Sequence, residues 1–245
     1  MIIVNLKGGL GNQMFQYALG RHLAIKNNDN LKLDINSLSQ AKEIGDVYRP
    51  FDLSLFNIKN ELATDTEIQS LKYPYGIFSR IKKIIERKIF RQFHVIFDDK
   101  ILNFKGNQYL EGFWQSPKYF EAIRDVLLED LTLVEGLSFT ALAIQEKIFS
   151  TEAVSVHIRR SDYVENKRVQ KENGNCSILY YEKAIELIYA STTNPTFFIF
   201  SDDIEWVKEN LSLPVNAVFV EDSNISSAEE LVLMSKCKNN IIANS

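Results

Sequence analysis

Short apolar runs alternate with amphipathic stretches from residue 151 to the end of the chain. The apolar runs are rich in β-branched or aromatic residues, which predicts strands at 153–158, 196–200, 217–220 and 240–243. Apolar positions at helical spacing predict helices between them, at 179–190, 204–210 and 227–236. Ser226 and Glu229 have the spacing of a capping box that opens the last helix. This alternation predicts a parallel sheet with right-handed crossovers.

The chain begins with a strand–turn–helix–strand pattern. Apolar runs at 2–6 and 31–35 predict strands, with a glycine-rich turn at 8–13 and a helix between them. Such a turn suits anion binding by backbone N–H groups, but Met14 replaces the third glycine of a dinucleotide fingerprint, so the close helix–strand approach of that motif is not expected. Asn12 is expected to cap the helix or, with Gln13, to hydrogen-bond a sugar. The pattern indicates half of a Rossmann-like layer.

The segment 37–108 has no regular hydrophobic period. Within it, residues 80–91 carry six basic side chains and one acid, whereas the whole chain has a net charge of −4. A surface helix that buries its isoleucines is the favoured interpretation. Contact with an anionic membrane surface is the alternative, because basic amphipathic helices bind such surfaces.

These patterns predict an α/β protein with two Rossmann-like halves, residues 1–150 and 151–245. Ligands of parallel α/β sheets bind outside the carboxyl ends of the strands. A ligand cleft is therefore expected between the halves, facing the carboxyl ends of both sheets. The sequence stops at Ser245, directly after a predicted strand and with no helix to cover the sheet. We therefore expect the natural chain to continue.

Composition narrows the class of protein. The 245 residues are 45% hydrophobic and 24% charged, as in ordinary globular proteins. The net charge of −4 argues against a general nucleic-acid binder, which needs a basic face. Two cysteines provide neither a disulfide framework nor zinc spacing, and the N-terminus lacks the features of a signal peptide. These features predict a cytoplasmic protein, with peripheral membrane contact if 80–91 binds lipid.

A cluster of charged groups follows the strand predicted at 153–158. His157, Arg159, Arg160 and Asp162 lie at or just beyond its end. Guanidinium groups match the geometry of phosphate oxygens, so one interpretation is a clamp for a diphosphate. A solvated charge cluster or a structural Arg–Asp pair is the alternative.

A second polar cluster, Ser201, Asp202 and Asp203, follows the strand predicted at 196–200. A carboxylate there can accept from N1–H and the 2-amino group of guanine. The same residues can also cap the helix that follows. Binding of a divalent metal is a weaker alternative, because the two arginines already supply positive charge.

Five segments together resemble glycosyltransferase family 11, the α-1,2-fucosyltransferases. They occur in family order at 8–18, 109–120, 157–164, 198–203 and 241–245. Ser161 stands where family members usually carry glycine, and the aromatic segment that follows Asn-Ser in the family is absent.

The resemblance implies a GT-B-like fold and an inverting transfer of L-fucose from GDP-fucose to the 2-hydroxyl of a terminal galactoside, in surface polysaccharide biosynthesis. It also implies that no metal or other cofactor is required. One alternative is a binding module for nucleotide sugars or glycans that has lost transfer. Another is a transferase of the same fold that uses a different GDP-sugar.

The resemblance places the donor site in the second half of the chain. Its residues are His157, Arg159, Arg160, Ser201, Asp202, Asp203, Asn244 and Ser245. Arg159 is expected to contact the β-phosphate and to stabilise the departing GDP, with Arg160 in support. Asp202 or Asp203 is expected to contact guanine, and the last two residues phosphate or ribose.

The resemblance places the other wall of the cleft at the glycine turn, through Gly9, Gly11, Asn12 and Gln13. The base that deprotonates the acceptor hydroxyl is expected to be Asp162, with Glu165 as a second candidate.

Overall fold

A computed structural model describes residues 1–40, 49–72, 97–160, 176–222 and 224–244. The chain divides into two compact units, Met1–Glu135 and Gly136–Ser245. Within the described residues, each unit contains one parallel β-sheet. The sequence prediction of an α/β protein is confirmed.

The first unit is built on a three-stranded sheet with the order β2-β1-β3. Its strands are β1 (Ile2–Asn5), β2 (Leu31–Asp34) and β3 (Gln108–Leu110). Its α-helices are α1 (Leu10–Asn27), α2 (Asn36–Gln40), α3 (Asp65–Lys72) and α4 (Arg124–Asp130). Short 3₁₀ helices lie at Asp52–Leu55, Asp99–Asn103, Pro117–Tyr119 and Glu121–Ile123. The two strands predicted near the N-terminus are confirmed, whereas β3 was not predicted.

Close packing of α1 on β1 depends on Gly20. A methyl group at this position would overlap Cγ2 of Val4 and lie 2.9 Å from Cδ1 of Leu31. The sequence analysis noted that Met14 replaces the third glycine of a dinucleotide fingerprint. In this chain, Gly20 further along the same helix allows the helix to approach the strand closely.

The second unit is built on a four-stranded parallel sheet with the order β6-β5-β4-β7. Its strands are β4 (Glu152–Ile158), β5 (Pro195–Ser201), β6 (Val218–Val220) and β7 (Asn239–Ile241). Its helices are α5 (Phe139–Phe149), α6 (Ile178–Ser191), α7 (Ile204–Asn210) and α8 (Ser227–Lys236). All four predicted strands and all three predicted helices of this region are confirmed.

The capping box at the start of α8 also ties α5 to the second unit. The backbone N–H of Ser226 donates to the carboxylate of Glu229 at 2.8 Å, and the Ser226 hydroxyl accepts from the Glu229 N–H at 3.3 Å. The other carboxylate oxygen of Glu229 accepts from the backbone N–H of Ser138 at 2.7 Å, just before α5. The units therefore divide at 135/136, whereas the sequence predicted halves that meet at 150/151.

Candidate functional site

The carboxyl ends of β4 and β5 bring the two predicted charge clusters together. The strands are parallel and in register, with Ile158 opposite Ser201. Residues 159–160 and residues 202–203 therefore leave the sheet side by side.

Asp202 holds the arginine pair through two contacts. Its Oδ2 lies 3.2 Å from Nε of Arg159, and its Oδ1 accepts from the backbone N–H of Arg160 at 2.9 Å. The side chains of Arg159 and Asp202 keep 31% and 20% of their surface exposed. The Arg–Asp pair considered from the sequence is therefore present. It is compatible with a clamp, because a guanidinium has five N–H donors and can hold a carboxylate and a phosphate together.

Arg160 is fixed by stacking. Its Cζ lies 3.5 Å from the centroid of the Trp206 ring, a close cation–π contact. Its Nε is buried and has no hydrogen-bond partner among the described residues, since Oδ2 of Asp203 at 3.5 Å makes a charge contact only. A stacked guanidinium supplies charge and fixes its neighbour, which suits the supporting role expected of Arg160.

Asp203 is the N-cap of α7, so the interpretation as a helix cap is confirmed for this residue. Its Oδ1 accepts from the backbone N–H of Trp206 at 3.2 Å. Its own N–H donates to the Ser201 hydroxyl at 3.1 Å. The side chain is 40% exposed. Capping occupies one carboxylate oxygen, and the other faces Arg160.

His157 is partly buried near the end of β4. Burial lowers its pKa below the ordinary value, and the positive charge of Arg159 lowers it further, whereas Asp202 acts in the opposite direction. The shift favours the neutral imidazole, in which one nitrogen donates and the other accepts.

A pocket of about 520 Å³ opens beside these residues within the second unit. Its acidic lining residues are Asp202, Asp203, Glu205, Glu221, Asp222 and Glu230. Burial raises the pKa of Glu230, Arg159 opposes the shift, and Asp202 adds to it. Carboxylates suit the hydroxyl and N–H donors of a nucleoside, whereas they repel phosphate. A diphosphate would therefore belong at the arginines.

Sequence analysis did not assign the last four of these acids to a site. Glu221 and Asp222 directly follow β6, as Asp202 and Asp203 follow β5. Polar residues at the end of a short strand were therefore a usable signal. Glu230 lies in the first turn of α8, and only its packing brings it to the pocket.

The glycine turn has a different structure from the one predicted. Helix α1 already begins at Leu10, and Gly9 is its N-cap with no side-chain cap. The prediction that Asn12 caps the helix was wrong. Gln13 is fully buried, where its amide donates to the carbonyl groups of Gly8 and Pro50 and accepts from the N–H of Leu53. This position gives Gln13 a structural role instead of a place on a ligand-facing surface.

Gly9, Gly11 and Asn12 remain available at the surface of the first unit. A methyl group at Gly9 or Gly11 would meet nothing within 4 Å. The Asn12 side-chain oxygen accepts from Nε2 of Gln115 at 2.8 Å. Asn12, which was expected to bind a sugar, thus lies beside Gln115 in the segment that follows β3.

Several predicted features fall outside the described residues. They are Asp162, Glu165, Ser245 and the basic segment 80–91. The catalytic base and membrane contact therefore stay predictions, and cofractionation with membranes would test the second. Asn244 is exposed after β7.

Across the described ranges, no group of three or more His, Cys, Asp or Glu side chains is arranged to hold a metal ion. No helix within those ranges is both long and apolar enough to cross a membrane.

The sequence pattern described as glycosyl transferase family 11 matches residues 1–245. The chain belongs to glycosyltransferase family 11. The resemblance found from the sequence is therefore confirmed over the whole chain, and this family 11 protein is a glycosyltransferase.

Curated relatives of the family 11 chain include a colitosyltransferase and a fucosyltransferase. The alpha-1,2-colitosyltransferase of Escherichia coli is 34% identical over 254 residues, which cover 100% of this chain and 84% of the relative. The galactoside 2-alpha-L-fucosyltransferase Sec1 of Mus musculus is 23% identical, covering 99% of this chain and 61% of the relative.

The family 11 chain is also similar to a solved structure, the NodZ alpha-1,6-fucosyltransferase co-crystallized with GDP. The TM-score is 0.55 at 13% identity, over 98% of this chain and 86% of NodZ. At this identity the likeness concerns the fold alone. The family 11 chain therefore has a GT-B-like α/β fold, as predicted.

Proposed function

We propose that the protein transfers L-fucose from GDP-fucose to the 2-hydroxyl of a terminal galactoside, with inversion at the anomeric carbon, in the synthesis of a surface polysaccharide. The observation that carries the proposal is the juxtaposition of Arg159 with residues 202–203 at the ends of β4 and β5, beside a pocket. The name of one relative, a galactoside 2-alpha-L-fucosyltransferase, supports it.

Arg159 is proposed to stabilise the leaving group. Cleavage of the bond between sugar and diphosphate develops negative charge on the β-phosphate, while the sugar becomes oxocarbenium-like. A guanidinium that is already held in place by Asp202 stabilises this charge with little reorganisation. Arg160, stacked on Trp206, adds a second positive charge. The two guanidinium groups supply the positive charge that a metal ion would otherwise provide at the diphosphate. The transfer is therefore proposed to be metal-independent.

Asp203 is proposed to contact guanine, in preference to Asp202. Asp202 is held by contacts of 3.2 Å and 2.9 Å, whereas Oδ2 of Asp203 has a charge contact of 3.5 Å with Arg160. That oxygen can turn to N1–H and the 2-amino group of guanine without losing a short hydrogen bond. Neutral His157 offers a further donor and acceptor on the nucleotide side.

One observation favours GDP-colitose as an alternative donor. The relative with 34% identity over the whole of this chain is named for colitose. Colitose is L-fucose without its 3-hydroxyl, so GDP-colitose would present the same nucleotide to the same residues. A donor panel must therefore contain both sugars.

The test is a matrix of donors and acceptors. The protein is incubated with GDP-fucose, GDP-colitose or GDP-mannose and with terminal β-galactosides, and the linkage of each product is determined by NMR. An α-1,2-linked fucosyl product supports the proposal, and exclusive transfer of another sugar overturns the donor. Binding of GDP without transfer to any galactoside would identify a non-catalytic binding module.

A further inference from the structure

We propose that the aromatic corner, defined as residues 112–115 of the first unit, binds the galactose ring of the acceptor. The inference rests on the proposed function, since it names the acceptor site of that reaction. The corner follows β3 by one residue, so it lies at the carboxyl end of a parallel strand. Ligands of parallel α/β sheets bind at this edge.

The corner is strained and firmly held. Trp114 has a φ of 45°, in the left-handed region that tryptophan rarely adopts. Gly112 makes room for the indole, because a methyl group there would lie 2.8 Å from Cζ2 of Trp114. The carbonyl oxygen of Gly112 accepts from Nε2 of Gln16 in α1 at 3.0 Å, and the carbonyl oxygen of Trp114 accepts from the N–H of Ser116 at 2.7 Å. Backbone strain that the surroundings enforce is concentrated at ligand-binding sites.

The chemistry of the corner matches a sugar. Phe113 is 37% exposed, and the Lys7 ammonium lies 4.8 Å from the centroid of its ring. The bond from Gln115 to Asn12 uses one N–H of the first amide and the oxygen of the second. The Asn12 NH₂ group and the Gln115 oxygen donate and accept no other hydrogen bond within the described residues. This combination suits a pyranose, whose C–H face can pack on an aromatic ring while its hydroxyls hydrogen-bond to amides.

Phe104 provides a matched control. It belongs to the same unit, is the same residue type and is 40% exposed. It precedes β3, however, whereas the corner follows it.

The experiment compares Phe113→Ala and Gln115→Ala with Phe104→Ala in the full chain. Phe113→Ala is expected to raise KM for the galactoside by about tenfold or more, the size of effect that loss of an apolar contact produces. Gln115→Ala is expected to raise KM less, and Phe104→Ala not at all. Affinity for GDP, measured by calorimetry, is expected to stay at the wild-type value in all three variants, because the proposed donor residues belong to the second unit.

An unchanged KM in both corner variants overturns the inference, and so does an equal rise in Phe104→Ala. If the wild-type protein transfers no sugar, the proposed function fails while the corner is still tested by saturation-transfer NMR with a methyl β-galactoside. Contacts to the sugar in the wild type that disappear in Phe113→Ala then support the corner. Equal contacts in both proteins, or none in the wild type, refute it.

Discussion

Replacement of Arg159 by alanine is the sharpest test of the donor site. The ion pair with Asp202 is partly exposed, and pairs of this kind stabilise a fold by only about 0–1 kcal/mol. Asp202 also keeps its bond to the backbone N–H of Arg160. The variant is therefore expected to fold with nearly the stability of the wild type.

The effect on turnover is expected to be much larger. Loss of one fixed donor to a developing negative charge costs about 3–4 kcal/mol, which is a fall of roughly 10²- to 10³-fold in kcat. The expected rise in the activation free energy is several times the expected loss of folding stability, so unfolding of the variant cannot account for the fall in kcat. Arg159→Lys is expected to recover little, because an ammonium is a point charge without the bidentate fork.

The pKa of His157 provides a second measurement, which tests whether Arg159 lies close to this imidazole. Arg159 helps to lower the pKa of His157, so its removal is expected to raise that pKa. An NMR titration of the His157 imidazole measures this change in pKa. The value of kcat is measured separately, from the rate at which GDP is released during turnover. Arg124→Ala is the control, because this arginine is 71% exposed in the first unit. Near-normal turnover in Arg159→Ala would remove the clamp from the mechanism, and an unchanged His157 pKa would contradict the arrangement at the end of β4.

Three further outcomes are expected. Transfer should persist in excess EDTA; activity that is lost and then restored by Mn²⁺ or Mg²⁺ would assign a metal to the donor-site acids. GDP should bind at least about tenfold more tightly than ADP, because adenine lacks the N1–H and 2-amino donors and so forfeits their hydrogen bonds to a carboxylate, at a cost of about 1–3 kcal/mol. Calorimetry on the wild type, Asp202→Ala and Asp203→Ala measures this, and equal affinities in the wild type would exclude recognition of guanine by either acid. Gly20→Ala should lower stability by about 1–3 kcal/mol through overlap with Val4, whereas Gly11→Ala in the same helix should gain up to about 1 kcal/mol. Equal urea midpoints for these two variants would refute the packing argument.

The strands of the second unit could be predicted because their pattern is local. Both faces of a parallel sheet are covered, so its strands form nearly continuous apolar runs. In β5, residues 197–200 are completely buried. By contrast, β3 has only three residues, too few for a period to emerge from the irregular segment around it.

The boundary between the units depends on contacts that no local pattern contains. Helix α5 carries exposed aromatic residues at both ends, with Phe139 90% and Phe149 65% exposed, which weakens its amphipathic pattern. Its place in the second unit depends on packing against α8 and on the bond from Ser138 to Glu229. These groups are far apart in sequence.

Part of the donor site could be located from the sequence, and part could not. Charged residues directly after a strand can be located from sequence, and the register of β4 with β5 then brings them together. Their partners cannot be located in this way. The stacking of Arg160 on Trp206 and the approach of Glu230 need the folded chain. Gln13 is an amide in a glycine turn, but its burial depends on Pro50 and Leu53.

The ion pairs at the ends of β4 and β5 have a consequence for selectivity among anions. Asp202 and Asp203 lie at the same sheet edge as the arginines and offset much of their positive charge. Each guanidinium keeps further N–H donors for a phosphate, but a dissolved anion meets a site of low net charge. Orthophosphate or sulfate offers only its charge and is therefore expected to bind weakly. A nucleotide sugar also brings a base and a ribose, whose hydrogen bonds add to the contact with the arginines, so the two carboxylates favour nucleotides over simple inorganic anions.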